Sequence, residues 1–286
     1  MIQDIVVEIW IFTKEVIPYL LLSFLLAGLI HEFVPSQVIA RYLGKGIKSI
    51  LLATFAGIPL PICVMGSLMM GIEFHKKGAD LGSTFSFFVA TPATSITAIL
   101  VMFALFDPSF IIFFVISVIL TAIIVGIVLS NMKYKKSLEN LPSKPQSKAS
   151  ENRIMSAFRY GFGHLGKDFG PTIAVGIILA GIIASTVPSD LITTYLGAGL
   201  LPLCIALIIA LPLHICPVGS VPFLAALIGK GMSPGAALIF LIAGPSTNIP
   251  AILVLRKAFG LKVLLSFIFI ISLCAILFGY GLNTIF

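Results

Sequence analysis

Long apolar segments constrain this chain more than any other feature. Eight hydrophobic stretches, most of them about twenty residues long or longer, make up most of its 286 residues. A run of that length predicts a membrane helix, whereas strands of a membrane barrel alternate over about ten residues. Charged residues are only 10% of the chain, against about 25% in a soluble domain. We therefore predict an all-α integral membrane protein, because helices satisfy their own backbone hydrogen bonds in lipid.

Basic residues are concentrated in one polar segment. The net charge is +7, and eight of the eighteen Lys and Arg residues lie between Asn131 and Lys167. This clustering favours a cytoplasmic loop over nucleic-acid binding. The N-terminus carries Asp4 and Glu8 and lacks a basic region, so no removable signal peptide is predicted. We expect a multi-pass protein of the cell (inner) membrane with this linker in the cytoplasm.

The sequence repeats itself at an offset of 153 residues. Between Lys14/Lys167 and Asp107/Gly260, 34 of the 94 aligned pairs are identical, without a gap. The identities include Pro, Gly, Cys and Thr, which shared hydrophobicity alone does not align. We infer a tandem duplication, with a first repeat at 1–130, a linker at 131–166 and a second repeat at 167–286.

Each repeat contains four hydrophobic stretches. They run roughly over 16–34, 47–72, 81–105 and 109–130, and over 169–187, 200–228, 235–255 and 261–283. Residues 1–13 and 154–166 precede the first stretch of each repeat and are expected to be interfacial amphipathic helices.

Loop charges favour an inverted arrangement of the repeats. If the second stretch of each repeat is re-entrant, 16 of the 18 basic residues lie in the cytoplasm. The number falls to 15 if the third stretch is re-entrant and to 12 if every stretch crosses. We predict inverted repeats, each with a Pro-broken or re-entrant segment, and leave open which stretch is re-entrant.

Two matched places in each repeat interrupt the helical pattern. The first is Gly57–Ser67, matched by Leu211–Ser220, and it contains Pro59, Pro61, Pro212 and Pro217. Proline removes a backbone N–H donor, so the freed groups must line a cavity or be buried in protein. Broken segments at corresponding positions of two repeats indicate a transport site.

The second break places hydroxyl and amide side chains beside proline. Thr91-Pro92-Ala93-Thr94-Ser95 is matched by Gly244–Pro250, which contains Pro245 and Pro250. Small residues also serve simply to let helices pack closely. Because two matched clusters each combine proline with polar groups, we predict that they bind the solute. The predicted ligands are Thr91, Thr94, Ser95, Ser246, Thr247 and Asn248.

Two of the four cysteines share one repeat position. Cys63 and Cys216 each lie at a break, with Met65 and His214 two residues away, and all four are candidate substrate ligands. Cys, Met and His are ligands for soft ions, so Cys63, Cys216 and His214 form a candidate metal-binding set. Cys204 and Cys274 are expected to be ordinary apolar core residues.

Other titratable groups are scarce in the hydrophobic stretches. Glu32, Glu73 and His75 lie near predicted span ends, where we expect them to be solvated. No carboxylate relay at mid-membrane is evident, and His214 alone is a weak candidate for proton coupling.

The break segments resemble those of the predicted permease family that includes the organoarsenical efflux permease ArsP. The resemblance rests on Pro59–Gly66, Lys77-Gly78-Ala79 and Thr91–Ser95, and on His214–Gly219 through Gly244–Pro250. It implies a polytopic permease with thiol ligands near its centre and, for some members, export of trivalent organoarsenicals. Met65 stands where the family's first motif has a second cysteine, which weakens the prediction of arsenical specificity.

Two functional hypotheses follow. We predict a secondary efflux permease for a small thiophilic solute, either a trivalent organoarsenical or a soft metal ion. The alternative is a transmembrane thiol–disulfide electron conduit, which uses one proline-flanked cysteine in each repeat. No enzymatic activity, cofactor or nucleic-acid partner is expected. The expected partners are the solute and the lipid bilayer, and a homo-oligomer is left open.

Overall fold

The computed structural model describes residues 36–58, 60, 62–132, 196–197, 199–212, 217–229 and 231–285. The predicted stretches 16–34 and 169–187, the segments 1–13 and 154–166 and most of the linker lie outside these residues. All regular structure within them is helical. The helices are α1 Ser36–Tyr42, α2 Ile47–Gly57, α3 Val64–Lys76, α4 Leu81–Ala93, α5 Ile96–Leu105, α6 Pro108–Ser130, α7 Leu200–Ala210, α8 Pro217–Gly229, α9 Pro234–Thr247 and α10 Ile249–Ile285.

Two of these helices are long and apolar enough to cross a membrane. They are α6, with 23 residues, and α10, with 37 residues. The α10 helix has two arms, 249–259 and 261–285, because Gly260 adopts φ 80° and ψ 171°. The α4 and α5 helices are bent by 45° at their junction and together form a third candidate span. At 1.5 Å per residue, α2 and α3 are only about 16 and 20 Å long, too short to cross a core of about 30 Å.

The α2 and α3 helices form a hairpin that starts and ends at the same end of the bundle. At the start of α2, the Asp80 N–H donates to the Leu43 carbonyl at 2.8 Å. At its end, Gly57 lies against the Thr91 side chain, so α2 runs parallel to α4. The α3 helix returns antiparallel to α4, since Gly71 contacts Thr84 and a short turn joins the two helices. The described residues of the connection, 58, 60, 62 and 63, therefore lie at the tip of the hairpin, away from the linker end.

The α6 helix runs antiparallel to α4 at close range. Gly82 lies against the Gly126 carbonyl, and the Ser86 hydroxyl donates to the Ala122 carbonyl at 2.8 Å. The end of α6 therefore lies beside the start of α4. We call this end, where residues 43–46, 77–80 and 130–132 meet, the linker end; residues 105–108 mark the far end.

Helix starts recur at an offset of 153 residues among the described helices. Helix starts at 47, 64, 81, 96 and 108 recur at 200, 217, 234, 249 and 261, counting the second arm of α10. The turn glycines recur as well, with φ 104° at Gly78 and 102° at Gly231. The Ser233 N–H donates to the Leu196 carbonyl at 3.0 Å, as Asp80 does to Leu43. Equivalent residues thus adopt the same local structure.

Two contacts with aromatic rings fix the direction of α10 relative to the first half. Phe259, between the two arms of α10, lies 5.4 Å from His75 at the linker end, measured between ring centroids. Gly281, near the end of α10, lies against the ring of Phe113, near the start of α6 and the far end. The second arm of α10 is therefore antiparallel to α6, its counterpart at the same offset.

Aromatic side chains fill the contact between the halves. Phe85 on α4 lies 5.1 Å from Phe259 and 4.9 Å from Phe267, between ring centroids, and Phe88 lies 5.7 Å from Phe267. Phe85, Phe88 and Phe267 are at most 1% exposed. Tilted contacts of this kind stabilise packing beyond the area that they bury.

Candidate solute-binding site

The two predicted breaks of the first half lie side by side. A Cβ added to Gly57 would lie 2.5 Å from Thr91 Oγ1, so the end of α2 touches the last turn of α4. In the second half, a Cβ on Gly244 would lie 3.9 Å from the Ala210 carbonyl oxygen, so α7 and α9 meet at the equivalent place. The first half pairs Gly with Thr, and the second pairs Ala with Gly.

Cys63 is the N-cap of α3, at the tip of the first hairpin. Its Sγ accepts a hydrogen bond from the Gly66 N–H at 3.3 Å, and its side chain is half-buried. Sulfur takes the place that a Ser or Asp oxygen usually occupies at a helix start. The N-terminal end of a helix favours negative charge, and the thiolate is the form of cysteine that binds soft cations. Met65, two residues on, is 2% exposed and packs in the apolar core.

The prolines at the breaks occupy several different positions. Pro92 and Pro245 lie inside the last turns of α4 and α9, and Pro250 lies in the first turn of α10. Pro217 begins α8, and Pro212 lies just beyond the end of α7. The first helical turn tolerates proline because its N–H has no intrahelical acceptor. Pro59 and Pro61 lie outside the described residues.

The threonines predicted as ligands are buried, and each hydroxyl proton is already donated. Thr94 donates to the Ala90 carbonyl at 2.7 Å, and Thr247 donates to Ala243 at 2.7 Å. Thr91 donates to Phe87 at 2.7 Å. These hydroxyl oxygens therefore face any solute as acceptors.

Asn248 and Ser95 occupy equivalent positions at the second breaks, but only the Asn248 side chain makes hydrogen bonds to both neighbouring helices. Asn248 Oδ1 accepts from the Ala251 N–H at 2.9 Å, and its Nδ2 donates to the Pro245 carbonyl at 2.9 Å. The amide thus joins the end of α9 to the start of α10. Ser95 is the N-cap of α5 but makes no capping hydrogen bond with its side chain.

Ser246 carries a buried hydroxyl for which the described part of the chain provides no hydrogen-bond partner. The residue is fully buried, one position after Pro245. An unsatisfied buried hydroxyl is costly, and this one can both donate and accept a hydrogen bond.

The remaining cysteines divide as follows. Cys274 is buried in the second arm of α10, beside the Thr121 side chain on α6. Cys204 is half-buried on α7, and neither cysteine is in a disulfide. Cys216 and His214 lie outside the described residues, so the predicted Cys63, Cys216 and His214 set stays a prediction. Among the residues that the structure describes, no three His, Cys, Asp or Glu side chains form a metal-binding group.

The expectation that Glu73 and His75 are solvated is wrong. Glu73 is 1% exposed and His75 is 9% exposed, because α3 folds back into the bundle and packs against α4 and α10. Their proximity to a predicted span end did not reveal this, because the end of a re-entrant hairpin is covered by its neighbours. Glu32 lies outside the described residues.

The geometry defines a polytopic helical membrane protein whose short, broken helices meet inside the bundle. Residues 3–284 match a family model described as a predicted permease. The chain therefore belongs to this predicted permease family, the one its break motifs resemble. Membership favours transport over catalysis.

Curated relatives are similar over nearly their whole length. The UPF0718 protein MJ0584 of Methanocaldococcus jannaschii is 23% identical, covering 91% of this chain and 90% of the relative. A Streptococcus mutans protein named as a subunit of a two-component membrane permease complex is 25% identical, covering 92% and 90%. The UPF0718 protein YcgR of Bacillus subtilis is 23% identical, covering 93% and 94%. No solved structure matches the chain.

Proposed function

We propose that the chain is an inverted-repeat efflux permease that binds a small thiophilic solute between its breaks. The observation that carries this proposal is the position of Cys63, a half-buried sulfur that caps a helix at the tip of the α2–α3 hairpin. The solute is a trivalent organoarsenical or a soft metal ion, because both bind thiolates.

The contact between equivalent residues supports the inverted architecture. Thr121 and Cys274 are 153 positions apart in the sequence, and their side chains lie beside each other. A residue touching its own counterpart lies on the axis that relates the two halves. Because α6 and the second arm of α10 are antiparallel, that axis is perpendicular to both helices and lies in the membrane plane.

The same architecture brings both hairpin tips toward the middle of the membrane. Each hairpin reaches about 16–20 Å inward, from the lengths of its helices. One hairpin enters from the linker end, and its counterpart enters from the far end. The sequence offset of 153 residues assigns Cys216 the position equivalent to Cys63.

Polar groups at the second breaks complete the proposed site. The Thr94 and Thr247 hydroxyls offer lone pairs, and the Ser246 hydroxyl offers a donor as well. These groups orient a solute whose central atom binds sulfur, since organoarsenicals also carry hydroxyl groups in water.

A partner subunit is part of the proposal. One relative is named as a subunit of a two-component permease complex, so this chain assembles with a second membrane subunit or with itself. Purification in mild detergent followed by mass measurement of the native complex distinguishes the two.

Transport into everted membrane vesicles tests the function. We expect uptake of a trivalent methylarsenical, antimonite or Cu(I). We expect no uptake of Zn²⁺, which binds thiolates less selectively, or of pentavalent arsenate, which does not bind them. A Cys63→Ser/Cys216→Ser double variant is the inactive control. Equal uptake by wild type and double variant contradicts the thiolate site.

Thiol trapping in intact cells separates the permease from the electron conduit. A permease keeps Cys63 and Cys216 reduced in resting cells, because they act only as ligands. A conduit cycles them through a disulfide, whose alpha carbons must approach within about 7 Å. A trapped Cys63–Cys216 disulfide that follows the redox state of a partner protein overturns the permease.

A further inference from the structure

We propose that Glu73 and His75 form a proton-binding site at the linker end of the first hairpin, and that transport is coupled to proton movement through it. This inference rests on the proposed permease function. It deepens that function by naming the second ligand, a proton.

The first step is the burial of an acid and an imidazole on one helix. Glu73 is 1% exposed, and His75, two residues on, is 9% exposed. Ionisable groups buried in a membrane protein are costly to keep, and those that persist mark ion or proton pathways. A buried carboxylate also needs nearby positive charge or hydrogen bonds to stay ionised.

The second step is the protonation chemistry of His75. Its Nδ1 lies 2.8 Å from the Ala79 carbonyl oxygen, which only accepts hydrogen bonds. Nδ1 therefore carries a hydrogen, and Nε2 is the atom that gains or loses the titrating proton. Fixing one nitrogen in this way is how proteins set the tautomer of a functional histidine.

The third step is the set of charges around this pair. On α3, Lys76 Nζ lies 4.0 Å from Glu73 Oε2, and Lys77 follows in the turn. The elements packed against α3 contribute Asp80 before α4, and Arg256, Lys257 and Lys262 on α10. Basic groups outnumber acidic ones here. Of these, Lys76 lies close enough to stabilise the Glu73 carboxylate when the proton leaves.

The fourth step connects the pair to the candidate solute site. His75 contacts Phe259, which adjoins Gly260, where α10 bends with a positive φ. The first arm of α10 runs from this bend to Asn248 at the second break. The inner helix α3 runs from the pair to Cys63. A change of charge between α3 and α10 therefore acts on both helices that end at the solute site.

The proposed cycle follows from these positions. When solute binds, Glu73 releases its proton to water at the linker end and becomes a carboxylate. After solute leaves at the far end, the O–H bond re-forms with a proton taken up from that side, and the unloaded protein returns, so one proton crosses in the direction opposite to the solute. Raising the pH at the linker end therefore speeds loading, because the carboxylate form increases.

The test uses the full chain in liposomes and two independent measurements. The first is infrared difference spectroscopy as the pH is lowered, without solute. We expect the carbonyl band of a protonated buried carboxyl group in wild type and its loss in Glu73→Gln. The second is proton release on adding a trivalent methylarsenical, followed with a pH-sensitive dye.

We expect Glu73→Gln to abolish proton release, and because glutamine resembles the protonated carboxyl group, its labelled methylarsenical exchange should stay within about twofold of the slow wild-type rate at low pH. Uptake by the wild type rises by up to about tenfold per pH unit at the linker end, the limit for one titrating group, and Glu73→Gln is flat. His75→Gln keeps proton release but shifts its pH dependence. Asp80→Asn is the matched control, since it removes a carboxylate at the same end and keeps a capping side chain.

Retained proton release and pH dependence in Glu73→Gln overturn the proposal. Exchange in a folded Glu73→Gln that falls well below the low-pH rate of wild type also overturns it, because the residue then binds solute. If Glu73→Gln does not fold, Glu73→Asp must still release protons and show the infrared band. If wild type moves no methylarsenical, the proposed function fails, and the infrared measurement alone decides the proton site.

Discussion

The helix pairs α2–α3 and α7–α8 have matching helix starts. Their second helices, α3 and α8, differ in chemistry. The first, α3, carries Glu73, His75 and Lys76 in its last turn. The positions 153 residues later, on α8, are Ala226, Ile228 and Gly229. Around the starts of α3 and α8 the two sequences agree instead. Cys63, Gly66 and Ser67 recur there as Cys216, Gly219 and Ser220. The sequence repeat is kept around the helix starts, where the solute is proposed to bind. It is lost at Glu73, His75 and Lys76.

The largest effect is expected at the matched cysteines. Cys63→Ser and Cys216→Ser should each remove thiophilic transport, because a single sulfur does not replace a two-sulfur site. Vesicle uptake at matched expression measures the effect, with Cys204→Ser as the control from a half-buried position outside the breaks. Full activity in Cys216→Ser with none in Cys63→Ser would mean that the halves differ in function at the tips as well.

A large loss of stability is expected at the close helix crossings that both halves share. Gly82 lies against the Gly126 carbonyl, and Gly235 lies against the Gly279 carbonyl. An added methyl group meets backbone that cannot move aside, so Gly82→Ala and Gly235→Ala should each cost about 2–3 kcal/mol. Thermal unfolding in detergent, followed by circular dichroism, measures both. Gly229→Ala is the control because it meets open space, and a loss at only one crossing would break the equivalence.

An intermediate effect is expected at Ser246, whose counterpart is Ala93. Ser246→Ala makes the second half like the first and removes a buried hydroxyl that the described residues leave unpartnered. Solute affinity should fall about tenfold, equivalent to about 1.4 kcal/mol, while the unfolding temperature stays constant or rises. Binding titration and thermal unfolding of one preparation give both numbers. Unchanged affinity places the solute elsewhere.

The smallest effect is expected where the halves exchange their small residue. Gly57→Ala should cost about 1 kcal/mol, because its methyl group meets Thr91 Oγ1. Adding Thr91→Gly reproduces the Ala210 and Gly244 pair of the second half, so the double variant should be more stable than the sum of the two single changes. Strict additivity in this double-mutant cycle would show that the two contacts are not equivalent.

The sequence allowed prediction of the helical class, the places of the breaks and the family. Proline and glycine act through local backbone chemistry, so their effect on the helix at Gly57 and at Ser95 is readable without a structure. The two hydrogen bonds of the Asn248 side chain were not predictable from sequence. One amide can bond to the end of α9 and the start of α10 only when the chain between them brings those ends together. The burial of Glu73 and His75 depends on which helices cover α3, and that is long-range packing.

The contact between Thr121 and Cys274 has an evolutionary consequence. If the two halves arose from one shorter chain, that ancestor assembled as two copies inserted in opposite orientations, and this position met its own copy across the dimer. Every residue near that contact then had to suit both orientations at once. Fusion into one polypeptide removed the constraint, and only afterwards could an acid be kept on one membrane side without an identical acid on the other.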